Sequence, residues 1–192
     1  MRIIAGTLKG RRLDAPDWPG LRPTSDRLRE TLFNVLAPRI EGVRFLDAFA
    51  GTGAVGIEAL SRGASHVTFV EQDPRAQRLI EANLARCGVS DRHAIIRAGF
   101  AAAAGRLPGP FQILFLDPPY GAAELVHALE TAAPLVAGGA VLIVEHAKRD
   151  PAPEVVAGLV RTRALVQGDS ALTFFQRSAF SVQSSAFSLP ND

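Results

Sequence analysis

Hydrophobic and polar positions alternate in two rhythms along this chain. Short apolar runs at 44–48, 66–71, 93–97, 112–117 and 140–145 read as strands. Between them, stretches near 55–62, 74–87 and 122–135 repeat their apolar residues at helical spacing. Strands that are apolar on both faces and separated by helices predict a parallel sheet covered on both sides. The expected fold is therefore an α/β, Rossmann-like sandwich. Two further runs, near 160–166 and 171–176, are separated only by residues 167–170. That connection is too short for a helical crossover, so the two should pair as an antiparallel hairpin at the sheet edge. Counting them gives a mostly parallel seven-stranded sheet whose last strand is antiparallel.

Upstream, residues 1–43 read as a small extension. Segments 2–5 and 11–13 predict short strands around Lys9-Gly10, and 16–20 has loop chemistry. Thr24 or Ser25 can cap a helix whose Leu28, Leu32, Val35 and Leu36 share one face until Pro38 ends it. The main domain spans 44–177. In the remainder, 178–192, Ser178-Ala-Phe-Ser181 recurs as Ser185-Ala-Phe-Ser188 with a single charge, which predicts an unstructured tail.

Composition adds limits rather than direction. With 192 residues, 47% hydrophobic and 21% charged, the chain has enough apolar material for one folded core. Its longest uncharged apolar stretch, 131–144, carries Pro134, Gly138 and Gly139 and is too short to span a bilayer. The apolar run at the start is too brief for a signal-peptide core, so a cytoplasmic protein is expected. Cys87 has no partner cysteine, and His66, His93, His127 and His146 are too widely spaced for a metal pair, so no metal is expected. Of the 21 basic residues 19 are arginine, and nine of the bases, Arg2 through Arg44, face only five acids in that segment. This local excess suits RNA phosphates, and it also suits an ordinary solvated surface.

Chemistry concentrates in two places. Phe45-Leu-Asp47-Ala-Phe49-Ala50-Gly51-Thr-Gly53-Ala-Val-Gly56 is a strand entering a glycine turn and then a helix. Glu71 follows Gly51 by 20 residues, at the end of the next strand, where an acid can hold ribose hydroxyls. Asp47 bears on which nucleotide fits. A dinucleotide would set its pyrophosphate against this turn, and two unit charges 4 Å apart repel by about 4 kcal/mol at an effective dielectric near 20. S-adenosylmethionine, a cation without phosphate, avoids that repulsion. Asp47 can also simply cap its own turn, and a nicotinamide-dependent oxidoreductase is the alternative for the glycine pattern.

The second place is Phe111-Gln-Ile-Leu-Phe-Leu-Asp117-Pro118-Pro119-Tyr120. Two prolines remove backbone donors and stiffen the turn, leaving an acceptor-rich corner at a strand's carboxyl end, where open α/β sheets bind ligands. The Asp117 carboxylate and the Pro118 carbonyl can accept the two hydrogens of an exocyclic nucleobase amine, and Tyr120 offers a stacking face. The bland alternative is a tight loop.

These motifs together resemble amino-group methyltransferases that use S-adenosylmethionine. The opening resembles one branch more closely, in Met1-Arg-Ile-Ile-Ala-Gly6, Gly10-Arg-Arg-Leu13, Leu21-Arg-Pro-Thr-Ser-Asp-Arg-Leu-Arg-Glu-Thr-Leu-Phe-Asn34, Gly56-Ile-Glu-Ala-Leu-Ser-Arg-Gly63 and Asp117-Pro-Pro-Tyr120. This is similar to the RsmD family of bacterial enzymes that methylate the N2 amine of one guanine in 16S ribosomal RNA, the guanine-966 type. The resemblance implies a class I methyltransferase fold and S-adenosylmethionine as cofactor. It implies 16S ribosomal RNA as partner, within the small subunit or its assembly intermediate, and a monomer. It implies that Asp117, Pro118, Pro119 and Tyr120 hold the target amine and base. It implies that Asp47, Phe49, Ala50, Gly51, Gly53, Glu71 and Gln72 hold the cofactor. Arg97-Ala-Gly99-Phe100 lacks the acid or amide often set against the adenine amine, so backbone at Gly99 and Phe100 would serve instead. Arg11, Arg22, Thr24, Arg27 and Arg29 would grip RNA or order the N-terminal segment over the cofactor. Amino-group methylation of adenine or cytosine in DNA or another RNA is the nearest alternative, and a non-catalytic RNA-binding assembly factor a more distant one.

Overall fold

A computed structural model describes residues 1–19 and 24–178 of the chain. Arg22 and the expected tail from residue 179 onward lie outside the described residues. Among the described residues no helix is long and apolar enough to cross a membrane.

Five strands, β1 (Arg44–Ala48), β2 (His66–Glu71), β3 (His93–Arg97), β4 (Phe111–Leu116) and β5 (Val136–Ala147), pair in parallel in the order β3-β2-β1-β4-β5. The chain moves outward from β1 to β3 and then returns to β1's other side with β4. That reversal opens a crevice at the carboxyl ends of β1 and β4, the usual ligand position in such sheets.

Period-2 alternation sends successive side chains to opposite faces. Phe45, Phe69, Ile113, Phe115 and Ile143 pack with α1 (Asp26–Leu36), α2 (Ala54–Ser61) and α3 (Pro74–Arg86) on one side. Leu46, Val70, Leu114, Leu116 and Val144 pack with α4 (Phe100–Ala103) and α5 (Ala122–Ala132) on the other. The two-sided apolar strands thus end up between two helical layers.

The carboxyl-terminal strands depart from the expectation in number. Three strands follow β5, namely β6 (Val155–Val156), β7 (Leu159–Gln167) and β8 (Ser170–Arg177). The sheet therefore has eight strands rather than seven, the addition being the two-residue β6. β7 and β8 form the expected antiparallel hairpin, but β8 lies inside, antiparallel to both β5 and β7. Burial explains the order. Ala171 to Phe175 are all buried, whereas Arg161, Thr162 and Arg163 on β7 are solvent-accessible. The first helix ends as expected ahead of Pro38, which sits in a 3-10 turn over Ala37–Arg39, where its missing N–H costs nothing.

The N-terminal segment forms one antiparallel bridge, Arg2 with Arg12, instead of two strands. Side chains of α2 hold it. Glu58, fully buried, accepts the N–H groups of Ile4 (2.8 Å) and Ala5 (3.0 Å) and pairs with Arg62 (2.8 Å). Arg29 of α1, also fully buried, donates to the Arg2 carbonyl (2.7 Å) and to Asp26 (2.8 Å). Gly6 adopts φ +82, and a Cβ there would stand 1.9 Å from the Ser61 carbonyl oxygen, so only glycine permits this approach. Asn83 of α3 completes the fastening, accepting from Asp14 N–H (2.7 Å) and donating to the Thr52 carbonyl (3.0 Å) beside the glycine turn.

Removing one charge from a buried ionic network leaves its partners uncompensated, which typically costs several kcal/mol. Glu58→Ala is expected to lower unfolding free energy in urea by about 3 kcal/mol and to expose the first 14 residues to limited proteolysis. A loss below roughly 0.5 kcal/mol would show that the segment is held otherwise.

Candidate active site

The crevice between β1 and β4 opens into a cavity of about 610 Å³. Its walls bring together Asp47, Phe49, Ala50 and Gly51 from the first motif, Glu71 and Gln72 from the end of β2, and Asp117, Pro118, Pro119 and Tyr120 from the second. Thr24 also lines it.

The other expected residues lie elsewhere. Gly53 is the N-cap of α2, at φ +74, and shapes the turn from behind. Gly56 packs rather than binds, because a Cβ there would meet the Phe69 ring at 2.2 Å. Gly99 backs the wall: its Cβ would lie 3.1 Å from the Gln72 side-chain oxygen. Phe100 is buried edge-on against Phe49, with ring centroids 5.5 Å apart. Neither Gly99 nor Phe100 reaches the cavity surface. Arg11 sits away from the cavity, against the Arg86 carbonyl, and exposed Arg27 lies beside but not on its wall. The fully buried Arg29 has no surface with which to grip RNA; it orders the N-terminal segment instead.

Local geometry fixes the acids. Asp47 is buried at the tip of β1, and its Oδ2 accepts the Gly56 N–H at 2.8 Å, so it does cap α2 while lining the cavity. Glu71 accepts the Gly51 N–H at 2.8 Å through Oε2 and the Asp73 N–H at 2.8 Å through Oε1. It therefore ties the glycine turn to β2, a role the spacing alone did not reveal, and each oxygen retains a lone pair for a ribose hydroxyl. Phe49 holds φ +61, a left-handed conformation that costs a non-glycine residue about 1–2 kcal/mol.

Several wall residues carry no sequence motif. Glu145, near the end of β5, lines the cavity next to Asp117. The β7–β8 turn contributes Gln167, Gly168, Asp169 and Ser170. Trp18 lines the rim, with the Arg75 guanidinium 5.2 Å from its ring centre. Long-range contact, not local pattern, places all of them.

The wall's charge is one-sided. Among the described residues, Asp47, Glu71, Asp73, Asp117, Glu145 and Asp169 face one arginine, Arg75, which is already paired with Asp73 at 2.7 Å. Burial pushes the Asp47 carboxyl up to about 8, with Glu71 adding repulsion and the Gly56 N–H opposing it. Burial raises Asp117 well above the usual carboxylate range, and Glu145 and Asp47 raise it further. Such a cavity suits a cation and resists a pyrophosphate. The sulfonium and ammonium of S-adenosylmethionine match this donor set.

Asp47 is protonated in the folded protein between pH 3.8 and about 8 but ionised in the unfolded chain. The native state then binds the extra proton, so this group's stabilisation falls as pH rises through that window. Asp47→Asn keeps an acceptor for Gly56 and removes the titration. Its stability relative to the parent should rise between pH 5 and pH 8 in urea unfolding, and a constant difference would show that Asp47 titrates normally.

Comparison with known proteins places this geometry in a family. The model of the family described as Conserved hypothetical protein 95 matches residues 1–176. Ribosomal RNA small subunit methyltransferase D of Escherichia coli strain K12 is 39% identical over 182 residues, covering 93% of this chain and 91% of that one. The solved structure of yhhF from Escherichia coli superposes with a TM-score of 0.82 at 35% identity, covering 93% of this chain and 98% of that one. A hypothetical protein of Thermus thermophilus, TTHA0928, gives a TM-score of 0.75 at 34% identity, covering 92% and 99%. The mixed sheet with its antiparallel carboxyl-terminal strands is that of class I methyltransferases. With its glycine turn and Asp-Pro-Pro-Tyr corner meeting in one acidic cavity, this chain belongs to the Conserved hypothetical protein 95 family, the RsmD family.

Proposed function

We propose that this protein transfers a methyl group from S-adenosylmethionine to the exocyclic N2 amine of a guanine in small-subunit ribosomal RNA. The observation that carries the reading is the single cavity joining the Asp47–Gly51 turn to the Asp117–Tyr120 corner, with acids on nearly every side. The ribosomal substrate follows the name of the Escherichia coli relative.

In this reading Asp47, the turn at Phe49, Ala50 and Gly51, and Gln72 hold the cofactor, and Glu71 accepts its ribose hydroxyls. Bound there, S-adenosylmethionine supplies an electrophilic methyl: the new N–C bond forms as the C–S bond breaks, and the sulfur keeps that electron pair. The chain's own residues prepare the nucleophile. The Asp117 carboxylate and the Pro118 carbonyl accept the two amine hydrogens and favour a pyramidal nitrogen whose lone pair faces the donor. Tyr120, 47% exposed at the mouth, gives the base a surface to stack on. Alignment in line at near-attack separation supplies much of the acceleration. After transfer the nitrogen carries one proton too many. Asp117 takes it, for which a carboxyl raised above its ordinary range is suited, and passes it to water.

A flipped-out loop nucleotide is the expected substrate form, because A-form grooves hide base edges. Exposed Arg11 and Arg27 would meet backbone phosphate outside the cavity, Thr24 would contact RNA at its rim, and Arg22 would add a further positive charge for RNA.

Asp117→Ala should lower kcat for methylation of small subunits lacking the modification by roughly 100-fold or more, with cofactor affinity changed less than about threefold. Nucleoside analysis by mass spectrometry should show N2-methylguanine as the product. An undiminished rate would remove Asp117 from the chemistry, and methyladenine or methylcytosine would redirect the reading to another amine.

A further inference from the structure

β4 and β5 run parallel in a register that sets Leu116 beside Val144, so the next residues, Asp117 and Glu145, stand side by side where β4 ends. Alternation places both on the face of Phe115 and Ile143, and both line the cavity with Pro118 and Tyr120. Glu145 already acts on Asp117, making ionisation of that carboxyl harder. One carboxylate with the Pro118 carbonyl suffices for the two hydrogens of an amine. The second carboxylate is not needed for that task, and it lines the same corner beside Asp117.

We infer that Glu145 selects the base, accepting the guanine N1–H while Asp117 accepts from the neighbouring N2 amine. The inference rests on the guanine-N2 reading above and deepens it. Guanine's pairing edge offers N1–H and N2–H2 in a row, all donors, and once the cationic cofactor bound beside them has drawn off their protons the two carboxylates are acceptors only. Adenine and cytosine carry a lone pair on the ring nitrogen beside their amine. Placed in this corner, that lone pair would face the Glu145 carboxylate, acceptor against acceptor, with both groups stripped of water. Sites built to hydrogen-bond a substrate N–H discriminate steeply against analogues that lack it, because the site's own polar group is left unpaired. Asp117 then engages the amine whatever the ring, and Glu145 tests which ring bears it.

The test uses the full chain and small-subunit RNA in which the target guanine is replaced by 2-aminopurine. That base keeps the amine and has a lone pair in place of N1–H. The parent protein should methylate guanine with kcat/KM about 100-fold or more above that for 2-aminopurine. Glu145→Gln, whose amide can either accept or donate, should reduce that ratio to less than roughly tenfold, chiefly by losing rate on guanine. A parent ratio near one, with guanine well methylated, overturns the inference and leaves the guanine reading intact. A steep parent ratio that Glu145→Gln leaves unchanged also overturns it. Should Glu145→Gln fail to fold by circular dichroism, the parent ratio decides. RNA methylated at adenine or cytosine and never at guanine overturns both.

Discussion

Three parallel strands of one mixed sheet run toward the same crevice, and each delivers a carboxylate there: Asp47 from β1, Asp117 just past β4 and Glu145 from β5. Period-2 alternation turns all three to the same face, into a cavity that also receives Glu71. Water is largely displaced around Asp47 and Glu145, so like charges repel strongly and Asp47 retains its proton. The protein by itself therefore stores an electrostatic imbalance that a cationic ligand relieves. That imbalance accounts for cofactor class, for a proton acceptor beside the amine, and for a donor-rich edge on the base.

The rest of the molecule serves to keep this corner in place. Glu71 latches the glycine turn through Gly51, and Gly56 lets α2 press against Phe69 so that its amino end meets Asp47. The N-terminal segment is bound to α2 through Glu58 and Ser61 and to α3 through Asn83, and it joins the same apolar cluster through Ile3 and Leu13. Thr24, Ser25 and Leu28 reach the cavity from that side. The extension and the sheet thus share one core and one cavity wall.

Much of this was readable from local pattern. β1 to β3 match their apolar runs, and Ser25 caps α1 through the Leu28 N–H. The strand-to-turn motifs at Asp47 and Asp117 identify the crevice because spacing and residue type are local properties. What escaped depends on distance in space. Glu58 meets Ile4, 54 positions away, and no periodicity encodes that contact. Glu145 looks like the polar end of a buried strand until β4 stands next to it. Arg29 could grip RNA or order the N-terminal segment, and only its burial in α1 and its bond to the Arg2 carbonyl decide for the second. β8's interior place is hinted at by a run, 171–175, that is apolar but for Thr173, yet two neighbouring strands leave open which one takes the inner position.

The central claim is that charge, not shape alone, selects the ligand of this cavity. Isothermal titration calorimetry in buffers of different ionisation enthalpy, at pH 7, measures both affinity and proton exchange for S-adenosylmethionine and for NAD. The account predicts binding of S-adenosylmethionine with net proton release, as Asp47 ionises on meeting the cation, and no binding of NAD. Tight NAD binding, or S-adenosylmethionine binding with no proton release, would contradict it.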